Sequence, residues 1–290
     1  MASIVDVVAI ALLAGAATGL GALPILVTDR ISHRFYDAAI GLAAGIMFGA
    51  AVFALVVPGL EFGSLWEVVV GIVAGAAFLL AGNRLLPHVH LVMTGEGDRT
   101  FPPSTAAEEV IEPEDIIEAV VAAEANGSRS EGDGAAADVD SNARRAILVG
   151  SAITIHNVPE GLAIGIAFAG GLEAVGVALA LAIAIQNVPD GFAMAVPASQ
   201  TDLSKLKTIL YTTLSGAIPE PIAAAFGFAL VALVTGLFPI AAGFAAGTMM
   251  AVIFRELIPT SHGHGYADIA TLTFVVGFVV MVIVDVGLAV

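Results

Sequence analysis

Polar residues are sparse along the chain, and the gaps between them predict its elements. Eight apolar stretches run roughly over 4–27, 36–59, 66–86, 144–169, 172–197, 207–235, 237–259 and 266–289. About 20 helical residues cover the ~30 Å hydrocarbon core of a bilayer, and every stretch is long enough. Strands of a membrane barrel would alternate polar and apolar residues, and these stretches do not. The pattern therefore predicts an all-α integral membrane protein with eight transmembrane helices. The first stretch has no basic leader and no small-residue cleavage site, so it is expected to be retained as a helix.

Composition agrees. The chain is 58% hydrophobic and 12% charged, against about 25% charged residues in a soluble domain, and its mean hydropathy is +0.98. It has no cysteine, which leaves N and O ligands, with a methionine sulfur at most, for any bound metal. With eight spans, all ten Lys and Arg residues fall on one side of the membrane, and the loops 59–65, 170–173 and 236–239 carry none. By the positive-inside rule both termini lie outside and the long loop between spans 3 and 4 is cytoplasmic.

That loop, 87–143, divides the bundle into three spans and five. Thirteen of the 26 acidic residues lie between Glu96 and Asp140, and its second half is too polar to bury a core, so it is expected to be largely disordered. The net charge of −16 with only two lysines suits a prokaryote living in high salt; an acidic disordered loop alone explains the same numbers. No nucleic-acid partner is expected. Gly41, Gly45 and Gly49 recur every fourth residue and read as helix-packing positions.

Against this background the interruptions stand out. His156-Asn157-Val158-Pro159-Glu160-Gly161 lies in span 4, and Gln186-Asn187-Val188-Pro189-Asp190-Gly191 repeats it in span 5. Ionisable groups at mid-membrane cost about 2.5–3.5 kcal/mol each on insertion scales and mark pathways. His156 and Glu160 share one helix face, as do Gln186 and Asp190. Asn157 and Asn187 are turned about 100° from them, and span 6 adds Glu220 between two prolines. Pro159, Pro189, Pro219 and Pro221 free the carbonyls of Ile155, Ile185, Ser215 and Ala217. One imidazole, three carboxylates and three amides suit Zn²⁺, Fe²⁺, Mn²⁺ or Co²⁺ better than Mg²⁺ or Ca²⁺. The same carboxylates would also serve a cation/proton antiporter. An intramembrane di-metal hydrolase fits less well, since neither HExxH nor a nucleophile set is present, and no enzymatic activity or catalytic cofactor is expected.

HNVPEGLAIG, QNVPDGFAMAVP, SGAIPEP and FRELIPTSHGHG together resemble the ZIP (Zrt/Irt-like protein) divalent metal transporters, in particular the prokaryotic branch, over essentially the whole chain. The resemblance implies a 3+2+3 arrangement, with helices 1–3 and 6–8 as inverted repeats around helices 4 and 5. It implies import of Zn²⁺ and similar ions such as Fe²⁺, Mn²⁺ and Cd²⁺ into the cytoplasm by alternating access, in the cell membrane. Carried over by motif position, one metal falls to His156, Glu160, Gln186 and Asp190, and a second to Asn157, Asn187 and Glu220, with Glu160 and Asp190 bridging. Met47 matches a methionine that borders the first metal; plain core packing explains it equally well. The resemblance allows a homodimer, and no interface is legible in the sequence.

Two departures bear on the chemistry. Asp190 stands where the branch usually has Glu, which puts the bridging of two metals in doubt. Arg255 precedes Glu256 where the family often has His, and Thr260 replaces a second Glu; a guanidinium there counts against an exit site at Glu256. His88 and His90, which end span 3, and His262 and His264, which follow span 7, are compatible with a cytoplasmic exit site and equally with solvated histidines at the headgroups.

Overall fold

A computed structural model describes residues 2–27, 32–93, 157–199, 203–234 and 236–288, with the side chains of 83–93, 196, 197, 199 and 288 outside that description. The helices are α1 (Ile4–Leu26), α2 (His33–Phe62), α3 (Leu65–Met93), α4 (Asn157–Ala169), α5 (Glu173–Ser199), α6 (Lys205–Leu233), α7 (Phe238–His262) and α8 (Ala267–Leu288). Among the described residues there is no strand, and seven helices are long and apolar enough to cross a membrane. The shorter apolar α4 occupies the place of the fourth span; 144–156 lie outside the described residues, as does most of the acidic loop. The α3 helix runs on to Met93, so the first residues assigned to that loop, 87–93, are helical.

Serines start four of the helices. Ser3 and Asp6 form a capping box at α1, and the Ser64 hydroxyl and amide both donate to Glu67 at α3. Ser32 and Ser204 accept from Phe35 and Lys207 at the starts of α2 and α6. Each cap satisfies backbone donors that the first turn leaves without partners. Between the ends, large apolar side chains such as Leu13, Val73 and Ile283 are exposed, as befits a surface whose solvent is lipid.

The strongest pairings are α2 with α8 and α3 with α7, and α1 lies along α6. Each pair joins one member of the first triplet to one of the last, and exchanging the triplets maps the set onto itself. The inverted repeat that the family resemblance implies predicts that pattern. Enclosure follows it too: α2 and α7 are the most buried of the long helices, and α3 and α8 face lipid most. The same pair also share a defect. A wide turn, π-helical over Ala51–Val56 in α2 and Ile253–Leu257 in α7, precedes Pro58 in one and Pro259 in the other. Proline cannot bond the carbonyl four residues back, and a wider turn ahead of it absorbs the misfit.

The glycines read as packing positions do pack. A Cβ on Gly45 would collide with the α8 backbone at Phe274, and one on Gly41 with the carbonyl of Ala270. Gly71 and Gly75 meet α7 in the same way, at Ile240 and Phe244. Helices this close gain dispersion along their whole length, which matters where water supplies no drive for association. Gly45→Ala is therefore expected to destabilise the protein by about 1–3 kcal/mol through overpacking. Gly287→Ala, with nothing within 4 Å, should leave stability unchanged or raised; the check is the thermal unfolding midpoint of each purified variant.

Candidate metal centre

A tight turn joins α4 to α5, with Gly171 in the left-handed region at φ 78°. The two motif copies thus face each other on antiparallel neighbours, and α6 and α1 close the space around them. Glu160, Gln186, Asn187 and Glu220 are fully buried, and Asn157 nearly so. Gln186 Nε2 donates to Glu160 Oε1 at 2.6 Å, tying α5 to α4. Asn187 Nδ2 donates to Glu220 Oε1 at 2.8 Å and to the carbonyl of Ala14 at 2.9 Å, tying α5 to α6 and α1. Asn157 Nδ2 donates at 2.8 Å to the carbonyl of Ser215. The 100° offset read from the sequence is visible here: Gln186 looks towards α4, and both asparagines look towards the broken helices.

Those breaks come from local chemistry. In α6 the helical segments Lys205–Ala217 and Pro219–Leu233 meet at Ile218, because Pro219 has no N–H for the Ser215 carbonyl. Asn157 supplies the missing donor from α4. In α1 regular helix stops at Ala16, resumes over Thr18–Gly21 and tightens to a 3₁₀ turn over Leu23–Leu26, with Pro24 at its start. The carbonyl of Ala14, just before that break, receives Asn187. Irregular backbone at membrane depth is tolerated where protein groups satisfy it in this way.

The last residue of each motif, a glycine, sets the spacing. A Cβ on Gly161 would collide with the backbone of Glu220, and one on Gly191 with the carbonyl of Thr18. Gly15 and Gly216 exclude each other's Cβ where α1 crosses α6. Four helices are thereby drawn into backbone contact at the level of the polar cluster, which brings short side chains such as Asn and Asp within reach of one another.

What the cluster lacks is donors. Glu160 Oε2, Gln186 Oε1, Asn187 Oδ1, Asp190 Oδ1 and Glu220 Oε2 are all buried and have no hydrogen-bond partner. All five are oxygens with lone pairs, and three belong to carboxylates. Leaving such atoms enclosed and unmatched is costly, more so for charged groups. A divalent cation matches them directly, because hard oxygen ligands coordinate it through the same lone pairs. Among the described residues no three His, Asp or Glu side chains already converge on one ion position; two of the glutamates hold amide N–H groups instead.

Of the other sequence candidates, His156 lies outside the described residues. Met47 is buried in the main core on α2, which packs against α5. His88 and His90 lie within α3, their side chains outside the description. Glu256 sits in the wide turn of α7. His262 and His264, paired in the sequence reading, diverge: His262 Nδ1 contacts the Ile258 carbonyl of its own helix at 2.9 Å, whereas His264 Nδ1 contacts Asp37 Oδ1 at 2.7 Å across to α2. Ala14 escaped the sequence reading because a backbone acceptor leaves no trace in residue type. Ser215 was legible as the carbonyl opposite Pro219.

Comparison with known proteins converges on one group. The family described as ZIP Zinc transporter matches residues 3–285. The zinc transporter GufA of Myxococcus xanthus is 32% identical, covering 96% of each chain. The zinc transporter ZIP11 of Homo sapiens is 33% identical over 93% of this chain and 94% of its own. The zinc transporter ZIPB of Bordetella bronchiseptica is 32% identical over 94% of this chain and 78% of its own.

The Asn157–Ser215 bond gives this geometry a test independent of any ion. Asn157→Leu leaves the Ser215 carbonyl buried without its donor, and zinc-free protein should lose about 1–3 kcal/mol of stability. Chemical denaturation of wild type and variant measures the difference.

Proposed function

Because the chain belongs to the ZIP zinc transporter family, we propose that it carries Zn²⁺, and similar ions such as Fe²⁺, Mn²⁺ and Cd²⁺, into the cytoplasm through the α4–α5–α6 cluster. The observation that carries this reading is the set of five buried oxygens without donors, all on residues of the two motif copies and Glu220. In this reading the transported ion is the partner those oxygens lack.

The hydrogen bonds support dividing the cluster into two ion positions. Gln186 couples to Glu160, which fits a first position completed by His156 and Asp190. Asn187 couples to Glu220 beside Asn157, which fits a second. Glu160 and Asp190 each have an unmatched oxygen to share between them. The amides matter for release. They orient lone pairs at the ion while adding no charge, so an ion is held strongly enough to lose water and weakly enough to leave.

The described basic residues support an orientation in the membrane. Arg34 at the start of α2, Lys205 and Lys207 at the start of α6, and Arg255 near the end of α7 lie towards the same face. By the positive-inside rule that face is cytoplasmic and both termini lie outside. Access alternates between the faces as the broken helices α1 and α6, and the widened turns of α2 and α7, change their angles. Protein sections of this kind, with weakened helical hydrogen bonding near the site, are where domain movement costs least.

Uptake of zinc into proteoliposomes tests the assignment. Glu160→Ala and Asp190→Ala are each expected to lower the initial rate at least tenfold, and Asp190→Glu, which restores the missing methylene, to retain uptake. Rates unchanged in both alanine variants would sink the assignment, as would sodium–proton exchange without zinc movement.

A further inference from the structure

We propose that Met194, Ser215 and Thr212 form a transit point for the ion between α5 and α6, on the cytoplasmic side of the main cluster, and that it favours soft ions over hard ones. The route rests on the function proposed above; the side-chain grouping does not. The first half of α6, Lys205–Ala217, has two unlike faces. Leu206, Leu210, Tyr211 and Leu214 are exposed where lipid would lie. The buried positions are Thr208, Thr212, Ser215 and Gly216, so every enclosed side chain on this half carries a hydroxyl. A helix packed for stability alone turns apolar residues to that face, and enclosed hydroxyls are costly unless bonded.

Most of these hydroxyls are satisfied within their own helix, as is usual for Ser and Thr. Thr208 donates to the Ser204 carbonyl at 3.4 Å, Thr213 to that of Ile209 at 2.8 Å, and Ser215 to that of Thr212 at 2.7 Å. Thr212 is the exception. It is fully buried, and its Oγ1 has no hydrogen-bond partner. Beside it, Ser215 Oγ lies 3.5 Å from the sulfur of Met194 on α5. A hydroxyl has one proton, and the shorter contact with the Thr212 carbonyl takes it. The sulfur and the serine oxygen therefore turn lone pairs towards each other. Two hydroxyl oxygens and a thioether are left short of donors, as the carboxylates above them are.

Position joins this group to the main cluster. Met194 follows Asp190 by four residues, one turn along the same face of α5. The Ser215 carbonyl receives Asn157 Nδ2 at 2.8 Å, and Thr212 stands a turn nearer the end of α6 that carries Lys205 and Lys207. On the α2 side of α5 the chemistry differs. Phe192 packs edge-on against Phe35 at 5.2 Å and beside Tyr36 at 6.3 Å, and the Tyr36 hydroxyl is spent on the carbonyl of Ala193 at 3.4 Å. That side offers an ion rings instead of ligands. Beyond Thr212, Ile209 packs against Ala22, Ile25 and Ala195, an apolar layer that holds an ion at the hydroxyls until α1 and α6 part. The ligands at this point are all neutral, which keeps the hold weak. The thioether sets the preference, because sulfur suits Zn²⁺ and the softer Cd²⁺, whereas Mn²⁺ is suited by oxygen.

Uptake of Zn²⁺ alone, and of Cd²⁺ and Mn²⁺ in competition, into proteoliposomes tests the proposal. Met194→Leu conserves side-chain volume and is expected to lower the ratio of Cd²⁺ to Mn²⁺ uptake about threefold or more. Thr212→Val removes the unmatched hydroxyl at nearly constant shape, so the variant should be no less stable than wild type. Its zinc uptake should nevertheless slow about two- to tenfold, and Thr212→Ser, which keeps the hydroxyl, should restore the rate. Zinc affinity at the main cluster, measured by equilibrium dialysis, should be unchanged in all three variants. Wild-type rates and a wild-type Cd²⁺ to Mn²⁺ ratio in both Met194→Leu and Thr212→Val overturn the proposal. So does a slower Thr212→Val that has lost zinc affinity or stability in proportion, the mark of a structural role. If Glu160→Ala abolishes uptake while the Met194 and Thr212 variants behave as wild type, this inference alone fails. If Glu160→Ala and Asp190→Ala transport normally while Met194→Leu still shifts the ratio, the main-cluster reading fails and the transit point stands.

Discussion

An oxygen lone pair enclosed in hydrocarbon has to be matched by something, and this protein encloses more oxygens than its side chains can match. Three amide groups supply the donors at the α4–α5–α6 cluster, and they are used on one oxygen each of Glu160 and Glu220 and on the carbonyls of Ser215 and Ala14. Five further oxygens remain. In a soluble protein water would reach such atoms. Under the function proposed above, a cation in transit supplies the match that those oxygens lack.

The rest of the fold delivers those oxygens to one place. Glycines at the ends of the two motifs, and at the α1–α6 crossing, remove the side-chain layer that would keep the helices apart. Prolines interrupt α6 and crowd the end of α1, and the asparagines take up carbonyls beside those breaks. The same residue types that weaken an ordinary helix therefore build the centre of this one. Around it, the exchange pairing of α2 with α8 and α3 with α7 repeats one packing solution, and α2 and α7 carry matching wide turns ahead of proline.

Much of this was legible in the sequence, for identifiable reasons. Apolar length reports membrane helices directly, since nothing else requires so many consecutive apolar residues. The repeated motif reported its own importance because each ionisable residue carries a high insertion cost. Pro219 named the carbonyl that Asn157 captures. What stayed hidden depends on three-dimensional proximity. Ala14 contributes a carbonyl that any residue would have. The wide turns of α2 and α7 arise from strain near Pro58 and Pro259 and have no residue signature of their own. Asp37, a single acid near the start of α2, has nothing in the sequence around it to mark it, yet it is fully buried and meets His264 from the turn before α8. His262 and His264, two residues apart, read as a pair, and the turn between α7 and α8 sends them to different partners.

The central claim, that unmatched oxygens of the two motif copies exist to hold a metal ion in transit, is tested most directly by diffraction from zinc-soaked crystals collected across the zinc absorption edge. The account predicts anomalous density between α4, α5 and α6, within about 2.0–2.2 Å of carboxylate oxygens that include Glu160 Oε2 or Asp190 Oδ1. Well-ordered crystals with zinc present in excess and no anomalous density among those three helices would contradict it.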